Sequence, residues 1–242
     1  ECVPDIAIPD KCSRTTPGAY QETSIVDDPP DIDAFVTQLN NDGDTILYST
    51  FIGGSNDDQG NGIALDNTGM VYVTGTTFSD HDDLRPFPTA PVRSFSGDTA
   101  TEFSDAFVIK LNPALTGASD LLFSSYLGGN NNDTGNDIAV DNTDVYITGK
   151  TYSSNFPIPT TNPYQANLRG VADAYITKFT STGNLSFSTY LGGDDNDGGQ
   201  AISIGNDGSI YVTGNSNTTD TINAVNHFPT TPGLDQTFNS AG

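Results

Sequence analysis

The chain has little positive charge: 8 Lys+Arg stand against 31 Asp+Glu in 242 residues, a formal net charge of -23. Nucleic acid or an anionic membrane surface would have to be bound against strong repulsion, so neither is expected as a partner. The scarcity of Lys, Arg and Glu also removes the residues from which long amphipathic helices are made, and excludes an all-helical fold. No run approaches the roughly 20 apolar residues that span a bilayer, so membrane insertion is not expected. No positively charged stretch leads into an apolar one, so any secretion signal is expected to precede Glu1. Two cysteines by themselves lack the four ligands of a structural zinc site. Cys2 and Cys12, in a Pro-containing N-terminal stretch, predict a small disulfide loop in an oxidising compartment, with two free thiols as the alternative. The two histidines, His81 and His227, show no His-Glu-x-x-His spacing, and the chain has no Gly-x-Ser-x-Gly elbow. The expectation is a protein that is not an enzyme.

What remains is Asn, Thr, Ser, 25 Gly and 14 Pro, a composition of strands and turns, and it is organised by a repeat. Asp33-Ala34-Phe35-Val36-Thr37-Gln38-Leu39 returns as Asp105-Ala106-Phe107-Val108-Ile109-Lys110-Leu111 and as Asp173-Ala174-Tyr175-Ile176-Thr177-Lys178-Phe179, a period of about 70 residues. Three more phrases follow in the same order in each copy. The second is Tyr48-Ser49-Thr50-Phe51-Ile52-Gly53-Gly54 and its counterparts at 123–129 and 187–193. The third and fourth begin at Gly62, Asp137 and Ala201, and at Val71, Val145 and Ile210. Short phrases rich in Val, Ile, Thr, Tyr and Phe read as β-strands. Asn-Asp-Gly and Thr-Gly joints, such as 41–43 and 206–208, supply the turns between them.

Four antiparallel strands in a meander, repeated, make up a propeller blade, whose two faces are hidden only by neighbouring blades. A longer connection with Phe87-Pro88, Phe156-Pro157 or Phe228-Pro229 follows each fourth phrase and is expected to cross between blades, since proline offers no N–H to a ladder. These phrases resemble the SBBP β-propeller repeat of secreted and cell-surface bacterial and archaeal proteins. The resemblance implies a propeller scaffold and no single activity. The expected fold is therefore all-β: a propeller-like array of about three four-stranded antiparallel blades. The expected organisation is an N-terminal disulfide segment at 1–14, blades at 15–89, 90–160 and 161–230, and the start of a further repeat at 231–242. Three blades do not close a ring, so the array is expected to be part of a larger propeller or to be completed by neighbouring subunits.

Acidic residues recur in the loop after each Gly-Gly. Asp57, Asp58, Asp133, Asp194, Asp195 and Asp197 form an oxygen-rich set that suits Ca²⁺, with Asx turns as the alternative reading of the same residues. The glycine pairs lack the helix and lysine of a phosphate cradle and read as close-approach positions. Asn132, Asn184 and Asn217 head Asn-x-Ser/Thr sequons and are candidate glycosylation sites. The leading functional expectation is an extracellular structural or adhesive protein, a filament or surface-layer subunit whose partners are its own copies, other surface proteins or glycans. A ligand-recognition module of a larger secreted protein is the second reading. A carboxylate-based hydrolase is the third.

Overall fold

A computed structural model of the chain describes residues 15–23, 31–79, 86–88, 94–95, 103–142, 144–159, 161–217 and 228–229. The expected Cys2–Cys12 loop, both histidines and the segment 231–242 lie outside these residues. Among the described residues the only helical turn is a 3-10 turn at Gly117–Ser119, and no helix is long and apolar enough to cross a membrane. The rest is strand and turn.

Each repeat phrase folds as a strand, and the strands form six antiparallel hairpins. They are β1 (Ala34–Leu39) with β2 (Ile46–Ile52), and β3 (Asp58–Leu65) with β4 (Val71–Thr77). After a two-residue strand β5 (Ser94–Phe95) come β6 (Asp105–Leu111) with β7 (Leu121–Leu127), and β8 (Asp133–Asp141) with β9 (Asp144–Thr151). Last are β10 (Asp173–Phe179) with β11 (Leu185–Leu191), and β12 (Asp197–Ile204) with β13 (Ile210–Ser216). The turn between β3 and β4 shows why the local sequence folds this way. Gly69 takes φ +84, where an L side chain is strained, and Asp66 Oδ1 accepts from the Thr68 N–H at 2.8 Å and the Met70 N–H at 3.1 Å. Asp66 Oδ2 accepts from the Tyr72 hydroxyl at 3.0 Å, which ties the turn to the next strand.

The hairpins join into sheets out of phase with the sequence repeat. One sheet runs β3-β4-β6-β7 with β5 on its outer edge, and the next runs β8-β9-β10-β11. The pairs β1-β2 and β12-β13 stand as two-stranded ribbons. A blade is thus the third and fourth phrases of one copy followed by the first and second of the next. The boundaries expected near 89/90 and 160/161 therefore cut through blades, and the Phe-Pro connection lies within a sheet, between its second and third strands. The short Gly-Gly loop is what crosses between sheets. Proline keeps the longer segment out of the ladder, as expected, but both its ends return to the same sheet, while 53–57, 128–132 and 192–196 are short yet leave the sheet.

The innermost strands, β3, β8 and β12, lie side by side, as the first strands of successive blades do around a propeller axis. The apolar core lies between sheets. Phe87 wedges against Phe107 and Tyr126, with ring centroids 4.6 and 5.9 Å away, and Phe156 repeats the wedge against Tyr175 and Tyr190 at 4.5 and 6.1 Å. The outer edges are covered by the incoming chain. Tyr190 donates its N–H to Gln165 O at 3.1 Å, Phe51 donates to Gln21 O at 3.1 Å, and β5 pairs parallel to β7.

Candidate functional site

The joints between blades bring together carboxylates that the sequence holds about 25 residues apart. A Cβ placed on Gly53 would strike Asp33 Oδ1 and lie 2.9 Å from Asp58 Oδ2. Gly128 stands in the same way between Asp105 and Asp133, and Gly192 between Asp173 and Asp197. The first glycine of each Gly-Gly pair is therefore a close-approach position, as its sequence context suggested, and what approaches is a pair of acids.

Asp58, Asp133, Asp173 and Asp197 are fully buried. One oxygen of each is well held. Asp133 Oδ2 accepts from the Gly129 N–H at 2.7 Å and the Ser153 hydroxyl at 2.8 Å. Asp58 Oδ2 accepts from Gly54 and Ser79 at 2.7 and 3.0 Å, and Asp197 Oδ2 from Gly193 at 2.7 Å. Asp173 Oδ2 accepts from Gln165 Nε2 at 2.6 Å and the Arg169 N–H at 3.1 Å. The other oxygen, Oδ1, of Asp58, Asp133 and Asp173 is buried and accepts no hydrogen bond. Burial in this setting disfavours the charged form. It pushes Asp58 and Asp133 up to about 7 and Asp173 up to about 6, with Asp33 raising Asp58 further and Asp197 raising Asp173. A neutral carboxyl can donate to its neighbour what an ionised pair cannot share.

This arrangement divides the expected acidic loop set. Asp58, Asp133 and Asp197 turn inward to partners, Asp33, Asp105 and Asp173, that were not among the candidate residues. Asp57 and Asp194 stay at the surface, with Asp57 Oδ1 accepting from the Ile32 N–H at 3.0 Å, and Asp195 is half-buried. Among the described residues, no group of three or more Asp, Glu, His or Cys converges as a metal site. The missed aspartates carried a signal: each heads its phrase in all three copies, while the fifth and sixth positions vary from Thr37-Gln38 to Ile109-Lys110. The sequon residues Asn132, Asn184 and Asn217 are all exposed; Asn132 Oδ1 also accepts from the Ser104 N–H at 2.9 Å.

A second recurring device clasps one blade to the next. The register of β3 against β4 slips between Gly60 and Gly62, which makes Asn61 the extra residue of a β-bulge, and Asn136 and Gln200 hold the same place in β8 and β12. Asn61 Nδ2 donates to Gly135 O at 2.8 Å, and Asn136 Nδ2 donates to Gly199 O at 2.7 Å. Each bulge thus feeds an amide to the bulge of the next blade. A side chain on the receiving glycines would collide with Thr74 and Thr148.

A joint, a bulged inner strand and a hairpin recur in order along the array. Two stretches of the chain match the SBBP β-propeller repeat. The family model matches residues 47–81 and 122–157, each running from the outer strand of one sheet through the Gly-Gly joint into the inner hairpin of the next. No curated protein matches the chain. The SBBP match therefore covers the joint that carries the buried acid, Asp58 or Asp133.

Among the described residues, the two ribbons at the ends of the array show half the strands of a blade. β1-β2 corresponds to the third and fourth strands of a blade, and β12-β13 to the first and second. Residues buried in the complete blades are exposed here. Phe35 is 68% exposed where its counterparts Phe107 and Tyr175 are 0%, and Tyr211 is 62% exposed where Tyr72 is 0%. On the inner strand, Ile63 and Leu65 are exposed while Ile138 is buried. Between β1 and β3 this leaves a groove of about 640 Å³ lined by Val36, Thr37, Gln38, Ile63, Leu65 and Met70, among others, with no charged side chain.

Proposed function

We propose that the protein is an extracellular structural module, non-catalytic, whose work is to assemble with its own copies or with other surface proteins through its unfinished blades. The observation that carries this reading is the contrast just described: the same phrases, in the same register, bury their aromatic residues in the middle of the array and expose them at both ends. Large apolar residues gathered on an uncharged face of a strongly acidic protein favour a partner surface over open solvent. The acidic exterior keeps such a protein soluble and opposes unspecific contact with nucleic acid and anionic lipid. The family resemblance to secreted and surface repeats supports the location.

Negative-stain electron microscopy of the protein, with and without a calcium chelator, tests the proposal. Fibres, sheets or rings larger than one chain are the expected result, and their loss in chelator would assign the acidic loops an ion. Single particles of one chain at all concentrations would overturn the assembly reading and favour a monomeric recognition module.

A further inference from the structure

We infer that the β12-β13 ribbon of one copy seats in the groove over β1 and β3 of a second copy, and completes a four-stranded blade in a defined register. The inference rests on the assembly reading and adds the occupant, the strands and the pairing. Its basis is that, among the described residues, the groove lacks the first two strands of a blade and the β12-β13 ribbon presents those strands without third and fourth partners.

The register follows from the two complete blades. Val71 to Thr77 pair with Leu111 to Asp105, and Val145 to Thr151 pair with Phe179 to Asp173, in the same steps. Carried to the open edges, Ile210 lies opposite the second copy's Leu39, Val212 opposite its Thr37, and Gly214 opposite its Phe35. Each of these pairings restores a contact that the interior blades possess. Phe107 lies over Gly75, close enough that a Cβ there would come within 2.7 Å of the ring, and the Tyr175 hydroxyl lies as near to Gly149. Gly214 has room for the same ring, and Phe35 is that ring without its glycine. Thr74 and Thr148 donate their hydroxyls to Phe107 O and Tyr175 O at 2.7 and 2.8 Å, a bond Thr213 would make to Phe35 O.

The plug is present as well. Phe87 and Phe156 are buried against the aromatics of the third and fourth strands, whereas Phe228 is only half-buried beside β13. Phe35 and Phe51 of the second copy occupy the places of Phe107 and Tyr126 against it. On the inner strand, Gln200 takes the position from which Asn61 and Asn136 reach the next blade, and Gly60 O of the second copy is the matching acceptor.

Charge favours this occupant over an unrelated one. β13 carries no ionisable group except the Tyr211 phenol, and the groove is uncharged, in a chain with 31 Asp+Glu. Where Lys110 and Lys178 stand 5.0 and 5.1 Å over the rings of Tyr72 and Tyr146, β1 has Gln38, so the seam between copies has an amide opposite Tyr211. The contact is head-to-tail and heterologous. Copies joined through it close into a ring or run on as a filament according to the rotation between them.

The test is cross-linking at one register. A Thr37→Cys protein and a Val212→Cys protein are mixed and treated with a short thiol-to-thiol cross-linker, alongside each variant alone and a Gln38→Cys with Val212→Cys mixture. Opposed residues bring their side chains together, and a one-residue slip turns them to opposite faces. The expected result is a linked pair from Thr37→Cys with Val212→Cys at least tenfold above the Gln38→Cys mixture and above either variant alone. Assemblies that form by light scattering without that preference would overturn this register and leave the assembly reading standing. Absence of any assembly would overturn both. A second measurement uses a variant outside the strand seam: Gln200→Ala is expected to weaken association several-fold with an unchanged melting temperature at low protein concentration, and unchanged association would remove the inner-strand clasp.

Discussion

Raising the pH from 5 to 8 should destabilise this protein, and Asp133→Asn should abolish part of that loss. Asp133 titrates in the folded chain at about 7, because its carboxyl is buried with one oxygen unpartnered. In the unfolded chain it titrates at about 3.9. The folded state therefore binds the proton more tightly, so the contribution is full below the unfolded value and is lost as pH rises through the folded one. A difference of about 3 units at 1.36 kcal/mol per unit is worth about 4 kcal/mol for this one group, an upper bound on the order of magnitude. Asp58, also pushed up to about 7, and Asp173, at about 6, act with the same sign. In Asp133→Asn the amide oxygen keeps the bonds from Gly129 and Ser153, and the neutral amide nitrogen takes the place of the orphaned oxygen. Urea unfolding at pH 5, 6, 7 and 8 reads the effect. The variant should gain on the parent by about 2 to 3 kcal/mol between pH 5 and pH 8, because part of the loss, about 1.5 kcal/mol, already falls below pH 5. Equal stability of the parent at pH 5 and 8, or a variant weaker by the same amount at every pH, would refute the account of a carboxyl kept neutral by burial.

The same joint predicts a contrast between glycines. Gly128→Ala drives a methyl group into Asp105 and to 2.8 Å from Asp133, so a loss of about 2 to 4 kcal/mol is expected in urea unfolding, whereas Gly60→Ala meets nothing nearer than 3.7 Å and should cost under about 1 kcal/mol. Asn136→Ala removes the 2.7 Å clasp to Gly199 and should cost about 1 to 2 kcal/mol by the same measurement; a neutral result would mean that solvent satisfies the carbonyl equally well. Phe107→Ala should cost about 3 to 5 kcal/mol, as a buried ring between Phe87 and Gly75, while the equivalent Phe35→Ala should leave the melting temperature of the single chain nearly unchanged and reduce assembly seen by light scattering. Comparable destabilisation by the two substitutions would contradict the equivalence drawn between the interior and the open blades.

Much of the fold was legible because strand formation here is local. Phrases of Val, Ile, Thr, Tyr and Phe joined by short turns form hairpins whichever neighbours they later meet, on Asx-Gly or Thr-Gly in the first and third copies and on the 3-10 turn at Gly117–Ser119 and on Asn142 in the second. Half of the candidate acids were legible too: the aspartate after each Gly-Gly repeats at a fixed place. Its partner was not, since Asp33, Asp105 and Asp173 sit one strand and a joint away and become neighbours only when the chain crosses between sheets. The Phe-Pro segments read as crossings between blades, whereas Phe87 and Phe156 pack within a blade, against its third and fourth strands.

Composition, the absence of helix-forming charge and the four repeated phrases determined an all-β chain of propeller repeats with an acidic exterior. Only the tertiary structure decided the phase of the blades, the pairing of the buried acids and the two unfinished ends. The reason is physical: a hairpin's partner across its turn is set by a few residues of turn chemistry, whereas a hairpin's neighbour across a sheet or an axis is set by which apolar face and which bulge it can cover. Those choices depend on strands far apart in the sequence.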